Sequence, residues 1–201
     1  MMSVIEALVP TSSESRRRMI RSAAVLFRRN GVDGTAFSDV IAHSGAPRGS
    51  IYHHFPGGKA ELAEEATRYA GDYIASALAA ALADDDPVAT VTGFAAGVAE
   101  NLDAGGYEDG CPVVAAALEG RRSPGARAAA GEAIGRWEEI LADSLERNGV
   151  EAERAASVAT MIVASIEGAI VLARAQGSVE PIERVSAELE RLATAALDTP
   201  G

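Results

Sequence analysis

The sequence contains very little cysteine and histidine. Cys111 is the only cysteine among 201 residues, which excludes an internal disulfide and a metal site built from several cysteines. The three histidines all lie before residue 55. His53 and His54 are adjacent and would point about 100° apart on a helix, whereas His43 lies on another predicted helix. We therefore expect no metal site and no cofactor.

Long apolar runs and strand-like alternation are also missing. No uninterrupted apolar run reaches the ~18 residues of a membrane span, and Glu6 stands where a signal peptide would be basic. We therefore expect a cytoplasmic protein with no membrane partner. Apolar residues instead recur three and four positions apart along most of the chain, which predicts an all-α fold of about nine helices.

Positive charge is scarce overall but is concentrated near the start. The net charge is −11, which by itself argues against a nucleic-acid partner. Residues 1–59 nevertheless hold eight Lys/Arg and four acids, a net +4, whereas the remainder holds ten and twenty-five, a net −15. A basic first segment on an acidic second segment would orient the protein on DNA.

Residues 37–59, FSDVIAHSGAPRGSIYHHFPGGK, have the pattern of two short helices joined by a tight turn. Gly45 stands where the first helix must end, because glycine readily adopts a left-handed conformation there. Pro47 suits the first turn of the second helix. Ile51 and Phe55 are four apart and would share its buried face. This arrangement is typical of a helix-turn-helix whose second helix reads DNA.

At these residues the chain resembles the tetracycline-repressor (TetR) family of bacterial transcriptional regulators. The shared positions are Gly31, Thr35, Asp39, Gly45, Gly49, Tyr52, Phe55 and Lys59. The segment SGAPRGSIYHHFPGGKAEL, together with GCPV at residues 110–113, is most similar to the LmrA/YxaF-type subgroup. The resemblance implies a DNA-binding head, which we place at residues 12–58, and a ligand-binding and dimerisation body, which we place at residues 59–201.

The motif and the charge pattern together nominate residues for DNA contact. Arginine suits guanine O6 and N7, whereas tyrosine and serine suit phosphate oxygens. The run at residues 16–18 is either a solvated face or a phosphate contact, and we favour phosphate contact because cations at a helix start are otherwise unfavourable. The DNA-binding candidates are Arg48, Gly49, Ser50, Tyr52, His53, Lys59, Thr35, Ser38 and Arg17.

The last two predicted helices, about Ala152–Gly177 and Pro181–Ala196, carry the most regular apolar stripes. One domain core need not consume both stripes, so two copies of the chain could form a four-helix interface. We therefore expect a homodimer. The interface candidates are Val158, Ile162, Ile166, Ala169, Val185, Leu189 and Leu192.

A ligand pocket is implied by the resemblance, and bulky residues of the body are the candidates to line it. Cys111 is either a reactive thiol or a small buried hydrophobe, and we favour the second because the body has no histidine to activate it. Glu167 lies in an otherwise apolar run, where a lone acid must pair, protonate or face water. The ligand-binding candidates are Phe94, Tyr107, Cys111, Trp137, Met161 and Glu167.

These features predict a repressor that a small-molecule effector releases from a palindromic double-stranded DNA operator. The resemblance implies this mechanism, because periodicity alone indicates only helices. Two alternatives stay open. The protein could be an activator or a DNA-binding protein without an effector, or a helical enzyme that has reused the head. The absence of histidine and of paired carboxylates from the body argues against an enzyme.

Overall fold

The computed structural model describes residues 12–47, 49, 51–119 and 123–198. Within these ranges all regular structure is helical, so the all-α prediction is confirmed. A short 3-10 turn, Leu82–Asp84, follows the fourth helix. The nine α-helices of the described chain are α1 (Ser12–Asn30), α2 (Phe37–Ser44), α3 (Ile51–His54), α4 (Gly58–Ala81), α5 (Pro87–Ala104), α6 (Pro112–Glu119), α7 (Pro124–Arg147), α8 (Ala152–Gln176) and α9 (Glu180–Leu197).

The helix-turn-helix forms from α2 and α3. α2 ends at Gly45, whose φ of 64° and ψ of 21° are the left-handed conformation expected there. Ile51 and Phe55 are both 0% exposed and pack in the core, as their spacing predicted. The second helix begins later than expected, because Pro47 lies outside it and α3 begins at Ile51.

α4 connects the head to the body by packing against α1 at one end and α7 along its length. The contact with α7 is close at Gly71, where an added Cβ would lie 2.5 Å from the Cβ of Ala133. The indole Nε1 of Trp137 donates a hydrogen bond to the Gly71 carbonyl, 3.1 Å away. Glycine is therefore required at this crossing because the two backbones approach too closely for a side chain.

Two apolar clusters form the core. The first contains buried side chains of α1 to α4, α6 and α7, and it crosses the head–body boundary that we placed after residue 58. The second contains buried side chains of α5, α7, α8 and α9. Phe94, Ile140 and Val163 pack against both clusters. Side chains of the head and of the body therefore pack in one shared cluster.

The apolar stripes of α8 and α9, which we expected at a dimer interface, lie inside the protomer. The assignment of these residues to the interface is therefore corrected. Val158, Ile162, Ile166, Ala169 and Leu189 are buried, and Val185 and Leu192 pack half-buried against the same cluster. The physical reason is that α8 lies between α7 and α9, while α9 also packs on α5, so the inward faces of both helices are consumed by one core. The opposite face of α8 instead exposes Met161, Val171 and Leu172.

α8 also qualifies the expectation about membrane spans. By length and composition alone, Ala152–Gln176 is apolar enough to cross a bilayer. Its buried face packs within the protomer, which accounts for that composition as the core helix of a helical domain.

Candidate functional site

The outer surface of the head carries exposed polar and aromatic side chains on α3. Tyr52 is 69% exposed, and its ring packs edge-on against the Phe37 ring with centroids 5.6 Å apart. His53 is also exposed. Gly49 precedes the helix, is exposed and has open space around the position of a Cβ. A nucleic-acid backbone could therefore approach this side of α3 without displacing protein atoms.

Two further DNA-binding candidates have accessible side chains. Ser38 is exposed in the first turn of α2, and its hydroxyl lies 3.4 Å from an Asp39 carboxylate oxygen. Arg17 is exposed on α1, and its Nε donates to the Ser13 carbonyl at 3.4 Å. Both groups keep hydrogen-bonding capacity toward a partner. Arg48 and Ser50 lie outside the described residues, so their assignment stays a prediction.

Thr35 is not a surface contact, and its assignment as a DNA-binding residue is wrong. The side chain is 1% exposed, and its Oγ1 donates to the Gly31 carbonyl at 2.8 Å. This bond closes the turn between α1 and α2. The hydroxyl is satisfied within the protein, because a buried polar group without a partner would be unfavourable.

Lys59, which we predicted to contact DNA, forms a hydrogen bond within the protein. Its Nζ donates to the Asp33 carbonyl at 3.0 Å, so it ties the first turn of α4 to the turn that follows α1. The side chain is half-buried. A phosphate contact from Lys59 would have to share or replace this bond, and it stays a prediction.

Arg16 holds the head together, a role that the sequence reasoning missed. Its Nε donates to the His54 carbonyl at 3.3 Å, its guanidinium lies 5.0 Å from the Phe55 ring centroid, and it pairs with Glu65. Burial, and then the neighbouring His53 and Arg16, lower the pKa of His54. The available signal was spacing, because Arg16 falls four residues before Ile20 on the apolar face of α1.

The body contains a cavity of about 1030 Å³ that could hold a small organic molecule. It is bounded by α1, α4, α5, α7, α8 and the segment Asp109–Pro112. Four of these, namely α5, the Cys111 segment, α7 and α8, carry residues that we named as ligand-binding candidates. The contribution of α1 as a wall was not anticipated.

Four of the six ligand-binding candidates line this cavity: Phe94, Cys111, Trp137 and Glu167. Tyr69 and Tyr73 of α4 also line it and were missed, although they lie on the helical stripe of α4.

Met161 and Tyr107 do not line the cavity, so their nomination is corrected. Met161 is 54% exposed because it projects from the outer face of α8. Tyr107 sits in the loop after α5, where its hydroxyl donates to Asp103 at 2.7 Å. This bond, and then partial burial, raise the pKa of Tyr107.

Glu167 and Cys111 both line the cavity, and their side chains interact. Burial raises the pKa of Glu167 to about 7, and the interaction with the Cys111 thiol partly opposes this rise. Burial, and then the charge of Glu167, raise the pKa of Cys111 well above its ordinary value. The thiol is therefore protonated at neutral pH, which favours the inert reading of Cys111. With its pKa raised toward neutrality, Glu167 can donate a hydrogen bond when it is protonated and accept one when it is ionised.

The cavity touches the DNA-binding head directly. Arg21, Ala24, Val25 and Arg28 of α1 form part of its wall. Asp109 pairs with both Arg28 and Arg29, and the next backbone N–H, that of Gly110, donates to the Arg28 carbonyl at 2.7 Å. We call residues Arg28, Arg29, Asp109 and Gly110 the α1 clamp. It fixes the last turn of α1 to the residue that precedes Cys111.

Comparison with known proteins shows which protein family has this arrangement. Residues 19–66 match the family described as bacterial regulatory proteins, tetR family. Residues 87–188 match the C-terminal domain described as transcriptional regulator LmrA/YxaF-like. The chain belongs to the TetR family. The resemblance seen at residues 37–59 is thus confirmed, including its LmrA/YxaF-like subgroup.

Relatives in the TetR family extend the match along nearly the whole chain. An uncharacterized HTH-type transcriptional regulator of Mycobacterium tuberculosis is 36% identical over 90% of this chain and 95% of its own length. The HTH-type transcriptional regulator LmrA of Bacillus subtilis is 33% identical over 86% of this chain and 93% of its own. The protein is therefore a TetR-family transcriptional regulator.

Solved TetR structures share the fold. A TetR transcriptional regulator from Chloroflexus aurantiacus superposes with a TM-score of 0.74 at 29% identity, covering 92% of this chain and 97% of that one. A regulatory protein TetR from Rhodobacter sphaeroides gives a TM-score of 0.79 at 22% identity over 89% and 98% of the two chains, which supports the fold alone.

Proposed function

We propose that this TetR-family protein is a cytoplasmic homodimeric repressor that leaves a palindromic operator when a small molecule occupies the cavity. The observation that carries the proposal is that one helix serves both parts. α1 packs on α2 and α3 in the head, and its second half forms a wall of the cavity. A molecule in the cavity therefore contacts the helix that positions the DNA-binding surface.

Two connections would transmit occupancy to the head. The first is α4, whose Lys59 end is bonded to Asp33 and whose Tyr69 and Tyr73 line the cavity. The second is the α1 clamp, which joins Arg28 to the Asp109–Cys111 wall. A ligand that fits the cavity better with one placement of these elements shifts the population toward that placement. The operator is released if, in that placement, the distance between the two heads of the dimer does not match the spacing of successive major grooves.

The exposed face of α8 supports the dimer. Met161, Val171 and Leu172 are 54%, 59% and 49% exposed. Gly168 lies between them with open space around the position of its Cβ, so a second helix could approach closely there. Apolar surface of this kind on a soluble protein commonly marks an interface. We propose that two copies meet through this face.

The test is fluorescence anisotropy of a labelled duplex from the promoter region of the protein's own gene. Candidate small molecules are titrated into the protein–DNA complex. A repressor of the proposed kind binds the duplex at nanomolar to micromolar concentration and releases it as the molecule is added. An activator would bind DNA more tightly with the molecule, and a DNA-binding protein without an effector would show no change with any compound.

A pair of glycine substitutions links release to the cavity. Gly97 lines the cavity and has open space around its Cβ position, so Gly97→Phe should fill part of the volume and abolish release. Gly131 on α7 also has open space but is exposed outside the cavity, so Gly131→Phe should leave release intact. Equal release by both variants would place the effector site elsewhere.

A further inference from the structure

We infer that the effector is an apolar organic cation whose positive charge is neutralised by the Glu167 carboxylate inside the cavity. This inference rests on the proposed function, because it assigns a chemical class to the molecule that the cavity takes. The observation behind it is that Glu167 lies in a cavity whose wall is largely apolar and includes several aromatic side chains.

Glu167 lies in the cavity wall and has no ion-pair partner among the described residues. Burial and the Cys111 thiol are the influences on its ionisation in the described chain, and no arginine is among them. A carboxylate enclosed by apolar groups is unfavourable unless it is paired or protonated. A bound cation would supply the missing charge, and it is the ligand class that gains most from this environment.

The other charged groups around the cavity are already engaged or lie at its edge. Asp109 is paired with Arg28 and Arg29, and the Asp86 carboxylate accepts the Ala89 N–H at 2.9 Å as the cap of α5. Arg21 and Asp84 are exposed. Arg174, two turns beyond Glu167 on α8, lies against Gly110 and does not line the cavity. Of the two carboxyls in the described lining that are not exposed, Asp109 is held by arginines and Glu167 is not.

Aromatic rings in the cavity wall also favour binding of a cation. Phe94, Trp137, Tyr69 and Tyr73 line the same cavity. The faces of such rings attract cations, with tryptophan the strongest. An anion would be repelled by the Glu167 carboxylate. The arginines of the lining offset this little, because Arg28 is paired with Asp109 and Arg21 is exposed. A neutral molecule of the same shape would gain only the apolar contact.

The test uses two rigid probes of nearly the same shape and opposite charge, tetraphenylphosphonium and tetraphenylborate. Binding to the free protein is followed by quenching of Trp137, the single tryptophan, which lines the cavity. We expect the phosphonium ion to bind at least about tenfold more tightly than the borate. Glu167→Gln should remove this preference, and Glu167→Asp should retain most of it. Glu153→Gln, an exposed acid on the same helix, should change nothing.

Proton release on binding is a second measurement, and it would not change if Glu167 had only a structural role. The phosphonium ion does not titrate, but it should lower the pKa of Glu167, which is about 7 in the empty cavity. Calorimetry near pH 7 in buffers of different ionisation enthalpy should detect net proton release on binding. The release should vanish in Glu167→Gln.

Each remaining outcome overturns the inference. Equal affinity for the two probes, tighter binding of the borate, a preference that persists in Glu167→Gln, or no binding of either probe would exclude an organic cation. None of these results affects the proposed repressor, because operator release by a neutral or anionic compound is measured separately with DNA. A failure of this inference and a failure of the proposed function are therefore distinguishable.

Discussion

The Arg28 guanidinium and the Asp109 carboxylate meet with Nη2 and Oδ2 2.8 Å apart, where the last turn of α1 contacts the segment before α6. Asp109 is only 8% exposed and also accepts from Arg29, whose pKa is raised first by this hydrogen bond and then by the charge of Asp109. Cations in the last turn of a helix also complement its dipole. One buried carboxylate therefore holds two arginines of the head against the wall of the cavity.

Asp109→Asn should destabilise the fold and loosen this connection. The amide keeps the shape but loses the charge, so Arg28 loses the counter-charge of Asp109 at a site where its Nε has no hydrogen-bond partner among the described residues. Hydrogen bonds to charged groups contribute about 1–3 kcal/mol, and we expect the free energy of unfolding to fall by that amount. Urea denaturation measures it. Glu188→Gln removes an exposed pair with Arg191 on α9 and should cost under about 0.5 kcal/mol. Equal losses would show that the α1 clamp contributes no more than a surface pair.

Two glycine-to-alanine changes should have opposite effects on stability. At Gly71 a Cβ would lie 2.5 Å from that of Ala133, so Gly71→Ala must separate α4 from α7 and should destabilise by about 1–3 kcal/mol. At Gly131 the added methyl meets open space in the interior of α7, so Gly131→Ala should stabilise by roughly 0.5–1 kcal/mol through helix propensity. Thermal unfolding of the two variants beside the parent measures both. A neutral Gly71→Ala would mean that the helices can separate at little cost.

Glu167 should make stability depend on pH. Its folded pKa of about 7 exceeds the ordinary 4.5, so its contribution is fully present below about pH 4.5 and is lost as the pH rises through 7. Glu167→Gln removes this loss. The stability of the variant relative to the parent should therefore rise between pH 5 and pH 8, by at most about 3 kcal/mol. Denaturation at the two pH values measures the change, with Glu153→Gln as the control. A difference that does not vary with pH would mean that Glu167 ionises as an ordinary surface acid.

Local signals in the sequence were sufficient for most of the helices and their ends, although α3 begins later than Pro47 suggested. Gly45 and Gly177 adopt the left-handed conformation that their positions after a periodic segment suggested. Pro87 begins α5 because a helix start tolerates its missing N–H. Such features depend on a few neighbouring residues, and a single sequence contains them.

Side-chain orientation between helices was the part that the sequence could not supply. Ile166 and Met161 both lie on one apolar helix, yet Ile166 is 5% exposed and Met161 54%. Which face is buried depends on the packing of α7 and α9 around α8, and periodicity does not reveal that packing. Thr35 shows the same limit, because its hydroxyl could serve DNA or the turn, and only the fold shows that it bonds Gly31.

The outer face of α8 should control dimerisation. Val171 and Leu172 are exposed apolar residues there, so the double change Val171→Glu and Leu172→Glu would place four charges in a two-fold interface. Residues at the centre of such interfaces often contribute 2 kcal/mol or more, which would raise the dimer dissociation constant at least about thirtyfold. Sedimentation equilibrium measures it. Leu118→Glu, at an 80% exposed apolar residue on α6, should leave the dimer unchanged. If the double variant stays dimeric, the copies meet elsewhere.

Arg17 and Arg48 should contribute to operator binding in different ways. Arg17 is exposed on α1, outside the reader helix, so we expect it to contact phosphate and to carry no base preference. Arg17→Ala should weaken binding to operator and random DNA alike, and it should shallow the plot of log affinity against log salt by about 0.9. Arg48 was predicted from the motif to contact base edges. Arg48→Ala should cost about 1–3 kcal/mol on the operator and much less on random DNA.

Anisotropy titrations at several salt concentrations separate these two roles. Arg184→Ala is the control, because this arginine is exposed on α9 in the body and pairs with Glu180, so neither affinity nor salt dependence should change. If Arg17→Ala weakens operator binding but not random binding, Arg17 takes part in base readout. If Arg48→Ala weakens both equally, Arg48 is a phosphate contact and the bases are read by other side chains of the head. Tyr52 would then be the next residue to substitute, because it is 69% exposed on α3.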